Sequence, residues 1–445
     1  MNNLWDIARS LILSWWVWLA AALLCGRAGS WFGAILSGML SFAFYHIFPR
    51  PHPALYALEP DFDSDSLEFR ATLAGTTGMP PIGGNRVEIY NNGDEFYPAM
   101  MEAIESAQYS VTIELFIFWD GQVGRRFAEA FAEKAREGAA VKLLVDAIGS
   151  PLGDEIVRIL EAAGCQLARF HPVRWCALDR VNLRTHRKSI IVDGRVAFTG
   201  GAGLADQWLG DAANESEWRD IQVRVEGPAV AVQQSGFAQN WLHSTGELLT
   251  GHAYFPEPHP SGDVEIQTIL SSPASGACAA ATMHMIAIEC ARRNLYIANS
   301  YFIPDSRFID MLARARGRGV DVRVMVAGRH NDTWWARQNS LRLYGDLLRA
   351  GVEIYEYQPT MLHQKIMVVD GVWATIGTAN FDSRSFALSE ETNICFHDRA
   401  LVNHLRSVFL ADLEHCQKVD LADWGKRGLW QRSKEWLASL IQDQV

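Results

Sequence analysis

The sequence has no CxxC pair, and its seven cysteines, at 25, 165, 176, 278, 290, 395 and 416, are odd in number and scattered. That excludes a disulfide framework and a zinc finger, and reads as reduced thiols in a core. The thirteen histidines contain no HExxH, so neither a metal site nor a cofactor is expected. Positive charge is in the minority: 40 Lys+Arg against 51 Asp+Glu leave −11 over 445 residues. This balance argues against a protein that clamps bulk nucleic acid, which needs a clustered positive surface. With 49% hydrophobic and 20% charged residues, wholesale disorder, collagen and coiled coil are excluded too. The length is sufficient for two well-buried cores.

The front of the chain lacks charge almost entirely. Leu11–Cys25 (LILSWWVWLAAALLC) and Trp31–Phe48 carry none, and only Gly26-Arg27-Ala28-Gly29-Ser30 separates them. A spanning helix needs ~20 mostly apolar residues, so the first run must start near Leu4 and tolerate Asp6 and Arg9 at the interface. Trp15, Trp16, Trp18 and Trp31 supply interfacial aromatics. A cleaved signal peptide would have a shorter apolar run and a small-residue cleavage site. A single span followed by an interfacial helix is a second alternative. The best reading is a transmembrane helical hairpin over residues 1–50, with residues 1–10 and 50–445 on one side. Arg9 and Arg50 against Arg27, together with free thiols, put that side in the cytoplasm of a cell bounded by a bacterial-type inner membrane.

The rest of the chain is written twice. Residues 51–84 are rich in Pro, Gly and Asp and read as a linker, and FPEPHPSG (255–262) makes a second break near the midpoint beyond it. On either side of that break, AIESA (103–107) is echoed by AIECA (287–291), EGAAVKLLVD (137–146) by RGVDVRVMVA (318–327), and LEAAGCQLARFHP (160–172) by LLRAGVEIYEYQP (347–359). Strand-like and helix-like patterns alternate in both copies, at an offset of roughly 180 residues. The spacing predicts an α/β protein of two similar lobes facing each other, residues 85–254 and 262–445, the second with a C-terminal tail.

Each copy ends in the pattern H-x-K-x4-D-x6-G: His186, Lys188, Asp193 and Gly200, then His363, Lys365, Asp370 and Gly377. Histidine and lysine at i and i+2 on a strand share a face. Asp-Gly one strand later signals a tight hairpin turn, so Asp193 and Asp370 are read as structural. Gly200-Gly201 and Gly377 let the backbone run close to whatever the imidazole and ammonium hold. Two imidazoles and two lysines at one interface suit phosphoryl transfer: one neutral imidazole attacks phosphorus while the other, protonated, delivers a proton to the leaving alkoxide. The lysines would hold the non-bridging oxygens. Such work calls for histidine pKa values near 7.

The paired motifs resemble those of the phospholipase D superfamily over roughly residues 80–430. GGNRVEIY (83–90), THRKSIIVDGRVAFTGG (185–201), WRDIQVRVEGPAV (218–230) and LHQKIMVVDGVWATIGTANFDSRSF (362–386) are similar to its cardiolipin synthase branch. The resemblance implies two pseudo-symmetric lobes, each a mixed sheet flanked by helices, with the site between them. It also implies transfer of a phosphatidyl group through a histidine adduct to the glycerol hydroxyl of phosphatidylglycerol. Carried over, His186 would be the nucleophile and His363 the general acid/base, or the reverse. Lys188, Lys365 and Asn380 would bind phosphoryl oxygens. Asp220 and Glu391 would orient each lobe's histidine, with Glu390 competing for the latter role. The chain departs from the family at Gly203 and Ser389, where asparagines are frequent.

Arg174, Trp175, Arg180, Arg184, Arg187 and Lys188 before the first motif, and Arg329, His330, Trp334, Trp335, Arg337 and Arg342 before the second, interleave positive charge with tryptophan. That pattern fits docking on an anionic membrane surface. Functionally, a membrane-bound phosphatidyltransferase leads. A phospholipase D that passes the same adduct to water, a nuclease and a catalytically silent lipid-binding scaffold are the rivals.

Overall fold

The computed structural model describes residues 12, 14–46, 58, 60–173, 180–275 and 278–442. Among these, sixteen strands form one sheet: β1 (Ile82–Asn91), β2 (Ser110–Leu115), β3 (Ala140–Asp146), β4 (Gln166–Phe170), β5 (Arg184–Thr185), β6 (Lys188–Val192), β7 (Val196–Gly200), β8 (Ile221–Glu226), β9 (Val264–Ser271), β10 (Asn294–Asn299), β11 (Asp321–Ala327), β12 (Glu353–Tyr357), β13 (Lys365–Val369), β14 (Trp373–Gly377), β15 (Ser389–Phe396) and β16 (Cys416–Lys418). The first half runs β4-β3-β2-β6-β7-β8-β1 and the second β12-β11-β10-β13-β14-β15-β9, the same order twice. In both, the first three strands of that order are parallel and the rest antiparallel. The halves join where the start of β1 pairs with β9, β16 extends the second half beyond β12, and β5 crosses to β15.

Strand periodicity explains three cores. Ile190 and Val192 face a core of the first half, while Ile191 between them faces the opposite side. Met367 and Val369 likewise face a core of the second half, while Ile366 and Val368 join Ile191. That shared third core draws on both halves, including Phe237 and Trp241 from the helix Val230–Thr245 and Leu405 and Phe409 from the helix Arg399–Leu413. The two halves are therefore packed against each other by a common apolar interior.

The motif aspartates occupy the turns between the paired strands. Asp193 and Gly194 have φ of +52° and +63°, and Asp370 and Gly371 +54° and +68°, the left-handed central pair of the β-turn inside each three-residue hairpin loop. Each carboxylate then caps the start of a neighbouring strand. Asp193 accepts from the N–H groups of Gln108, Tyr109 and Ser110 at 2.7–2.9 Å. Asp370 accepts from those of Arg292, Arg293 and Asn294 at 2.6–2.9 Å, and from Ser64 Oγ at 2.8 Å.

Two readings are modified. Within the stretch read as a linker, Leu67–Thr77 is a helix, with Ser66 Oγ accepting from Phe69 N at 3.0 Å as its cap and Phe69 and Leu73 wholly buried in the second half's core. The front of the chain contains helices Trp15–Arg27 and Trp31–His46 packed on each other, of 13 and 16 residues. Among the described residues, no helix is long and apolar enough to cross a membrane. At 1.5 Å per residue the longer spans about 24 Å, short of the ~30 Å hydrocarbon core. Leu4, Asp6, Arg9 and Arg50, on which the spanning reading leaned, lie outside the described residues. The C-terminal tail packs on the helix Trp334–Arg349, with Trp424 Nε1 donating to Leu341 O at 3.1 Å.

Because Asp370 is buried and holds three backbone N–H groups, Asp370→Ala should orphan them. The expected cost is about 3 kcal/mol or more. It would register as a lower urea midpoint with an unchanged denaturant slope.

Candidate active site

The two H-x-K segments enter along the opposite half. Leu388 O and Glu390 O, on the β15 side, accept from Arg184 N and His186 N, the latter at 2.9 Å. The mirror contact has His363 N donating to Arg219 O at 2.7 Å. This backbone pairing lays each histidine beside the carboxylate that comes directly after the accepting carbonyl. His186 Nδ1 lies 3.0 and 3.1 Å from the two oxygens of Glu391, and His363 Nδ1 lies 2.8 Å from Asp220 Oδ2. The carboxylates thus cross over, and each serves the histidine of the other half. The sequence leaves open which histidine each carboxylate meets, and the register gives each the histidine of the other half.

Both carboxylates are fully buried and further held. Asp220 Oδ2 accepts from Trp208 Nε1 at 2.9 Å and Oδ1 from Ile221 N at 2.8 Å, while Glu391 Oε2 accepts from Thr378 Oγ1. A side chain at Gly201 would place its Cβ 2.2 Å from Asp220 Oδ1, so this glycine makes room for the carboxylate, while one at Gly200 would fall 2.4 Å from Ile221 O. Gly200 closes β7 and Gly377 closes β14. At Gly203 a Cβ would fall 2.5 Å from Ile117 O, which explains why an asparagine is missing there. Its counterpart Asn380 is buried, and among the described residues its amide oxygen has no hydrogen-bond partner. Ser389 is buried at the start of β15. Glu390 is separated from the site: it accepts from Arg187 Nη2 at 2.7 Å and Ser272 Oγ at 2.6 Å.

The lysines complete the cluster. Lys188 Nζ donates to His186 O at 3.0 Å, and Lys365 Nζ donates to Ser300 Oγ at 2.6 Å and sits 3.2 Å from both ring nitrogens of His363. Burial pushes Lys188 down to about 7, with the charge of Lys365 adding to the shift, and burial pushes Lys365 down to about 8. Each lysine thus acts on groups of the other half, so the two motifs share one electrostatic site. Burial drives both histidines to about 4; Glu391 opposes the shift at His186, and Lys365 reinforces it at His363. Histidine values near 7 are therefore not a property of this site as it stands, because desolvation and two ammonium groups outweigh the carboxylates. Burial works against the ionised forms of Asp220 and Glu391, yet their histidine and lysine partners win, and both carboxyls stay below their ordinary values.

Ring environments distinguish the histidines. His363 is flanked by Trp208 and Trp218, both 5.3 Å away between centroids, and by Tyr301 at 6.4 Å. His186 meets Phe116 at 5.2 Å. Sequence reasoning missed Trp208, Trp218, Ser300, Tyr301 and Thr378, although Trp218 directly precedes Arg219-Asp220 and Thr378 directly follows Gly377. The proposed basic docking surface is corrected in part. Arg184, Arg187 and Lys188 are each only 2% exposed, and Arg337 is tied to Glu356 at 2.6 Å, because these cations anchor buried carboxylates and carbonyls. Arg174 and Trp175 lie outside the described residues, while Trp334 and Trp335 are exposed.

Residues 100–238 and 285–413, one segment in each half, match the family model described as cardiolipin synthase, phospholipase D-like domain. The chain belongs to that family. A cardiolipin synthase of Geobacillus thermodenitrificans is 34% identical over 374 residues, covering 83% of this chain and 74% of the relative. Cardiolipin synthase A of Pseudomonas entomophila is 33% identical over 363 residues, covering 81% and 75%. In fold, the chain is similar to a phosphatidylserine synthase of Haemophilus influenzae, with a TM-score of 0.67 at 12% identity over 85% of this chain and all of the other.

The buried neutral histidines carry a signature in stability. His186, His284 and His363 are held at about 4 and His397 at about 3, all chiefly by burial, against an ordinary value of about 6.5. As pH falls from 6.5 toward 4, the unfolded chain binds protons at these positions that the folded chain refuses, so the part of the stability that these histidines govern declines across that window. Replacing His186 and His363 together with Gln is expected to make the urea midpoint fall less steeply with acidification in that window.

Proposed function

We propose that this protein is a phosphatidyltransferase that joins two phosphatidylglycerol molecules into cardiolipin and releases glycerol. What carries the reading is the pair of carboxylate-held imidazoles, one from each half, amid two lysines, in a chain of the cardiolipin synthase family. With Nδ1–H donated to a carboxylate, each neutral ring presents its lone pair at Nε2. His186 Nε2 attacks phosphorus, the bond to the glycerol headgroup breaks, and His363 gives its proton to the departing oxygen. His363 then takes the proton from a hydroxyl of the second lipid, that oxygen attacks phosphorus, and the N–P bond breaks. Lys188, Lys365 and Asn380 hold the non-bridging oxygens.

Three features support this assignment of roles. The His186 side chain is the more exposed, at 13% against 5% for His363. The aromatic rings beside His363 favour an imidazolium at that position. Finally, an anionic phosphodiester beside His363 raises its pKa from the empty-site value toward one at which it carries a proton.

The substrates are lipids, and the N-terminal helices expose Trp31, Phe32, Ile35 and Met39 at 62–81%. We read this hairpin as the membrane anchor, multi-pass in a bacterial-type inner membrane, with the catalytic halves on the cytoplasmic side.

Purified protein given vesicles of phosphatidylglycerol alone is expected to form cardiolipin and glycerol in equal amounts. His186→Ala and His363→Ala should each lower that rate by on the order of a thousandfold or more. Phosphatidic acid as the main product, or turnover that survives both substitutions, would contradict the proposal.

A further inference from the structure

The two halves are equivalent at the reacting groups and unequal around them. The bridge Phe118↔Leu204 in the first half corresponds to Phe302↔Phe381 in the second. Phe116 and Ile117 therefore stand where Ser300 and Tyr301 stand, and Gly203 where Asn380 stands. One side of the site is apolar or bare at these positions, and the other is polar at all three.

The proposed reaction has the same inequality. With His186 as the attacking group, the glycerol of the donor departs on the His363 side, and the glycerol of the acceptor enters along that same path. The diacylglycerol oxygen of the donor stays on phosphorus throughout, in the plane between the entering and leaving groups. A short polyol must therefore be recognised next to His363, and that is where the polar residues are.

Of these, Ser300 is engaged by Lys365. Tyr301 stands edge-on to the His363 ring, at 85° and 6.4 Å, and its hydroxyl donates to Asp332 Oδ1 at 2.5 Å. Asp332 is exposed, in the loop between β11 and the helix Trp334–Arg349, and its charge reaches Lys365. The pair thus runs from the ring of the acid/base histidine to an exposed carboxylate. A carboxylate accepts hydroxyl protons and a phenol both donates and accepts, which are the groups a diol requires.

We propose that Tyr301 and Asp332 form a diol subsite that holds the free hydroxyls of the glycerol headgroup while its terminal oxygen meets His363. This rests on the transfer reading and assigns acceptor choice to two residues outside the H-x-K motifs. A site built to hydrogen-bond a hydroxyl discriminates strongly against an alcohol that lacks it.

The test uses the full-length protein and a phosphatidyl-p-nitrophenol donor, whose leaving group contains no glycerol, with glycerol and ethanol competing as acceptors. The unmodified protein should favour glycerol. Asp332→Asn should lower the glycerol-to-ethanol product ratio at least tenfold, whatever the total rate. Tyr301→Phe, which removes one oxygen, should lower it about threefold, and decides the matter if the first variant does not fold. An unchanged ratio in the folded variants overturns the subsite. Phosphatidic acid alone from the unmodified protein, with both alcohols present, instead overturns the transfer reading on which it rests.

Discussion

Two buried imidazoles each need a buried carboxylate, and in this protein each finds it in the opposite half. The rest of the structure is built around that exchange. Glu391 must reach His186 and Asp220 must reach His363, so the segment before each histidine pairs with the backbone just before the other half's acid. The shared apolar core and the junction of β1 with β9 keep the halves in that register. Gly201 is bare because Asp220 occupies the space a side chain would take. Removing either acid would leave a histidine and a lysine buried without their counter-charge, the costly way to break such a pair.

The charges in the site have a chemical consequence. Two carboxylates face two lysines, and with both ammonium groups protonated the cluster is neutral while the imidazoles are uncharged. Burial and crowding hold the lysines near 7 and 8 and the histidines near 4, so any further cation is resisted. A phosphodiester adds one negative charge and relieves that resistance. Substrate binding is then what allows a histidine to take up the proton that the leaving oxygen needs. The nucleophile is neutral beforehand, and the acid forms on demand.

Much of this was legible in the residues, and the reasons differ by feature. The duplication showed because helix and strand periods recur with the same punctuation, and the hairpin turns showed because Asp-Gly is the pair that tolerates positive φ twice. His186, Lys188, His363 and Lys365 stood out because two copies of one spacing are hard to obtain by accident. The crossing was invisible, since it depends on the register of Arg184–His186 against Leu388–Glu390, and no local pattern reports a contact across 200 residues. Histidine pKa values were misjudged for a related reason: desolvation depends on how completely the halves close. The helix Leu67–Thr77 was hidden by its Pro- and Asp-rich flanks, although Ser66 as a cap and Phe69 and Leu73 at i and i+4 were there to be read. The basic residues before the first motif looked like a surface because sequence does not show that Arg187 has Glu390 waiting for it.

The exchange of carboxylates between halves is tested most directly by the ring-nitrogen resonances of His186 and His363 in protein with 15N-labelled histidine. Glu391→Gln should shift the Nδ1 signal of His186 and leave that of His363 nearly in place, and Asp220→Asn should do the converse. If each substitution instead moved the histidine of its own half, the crossed pairing, and the account built on it, would be wrong.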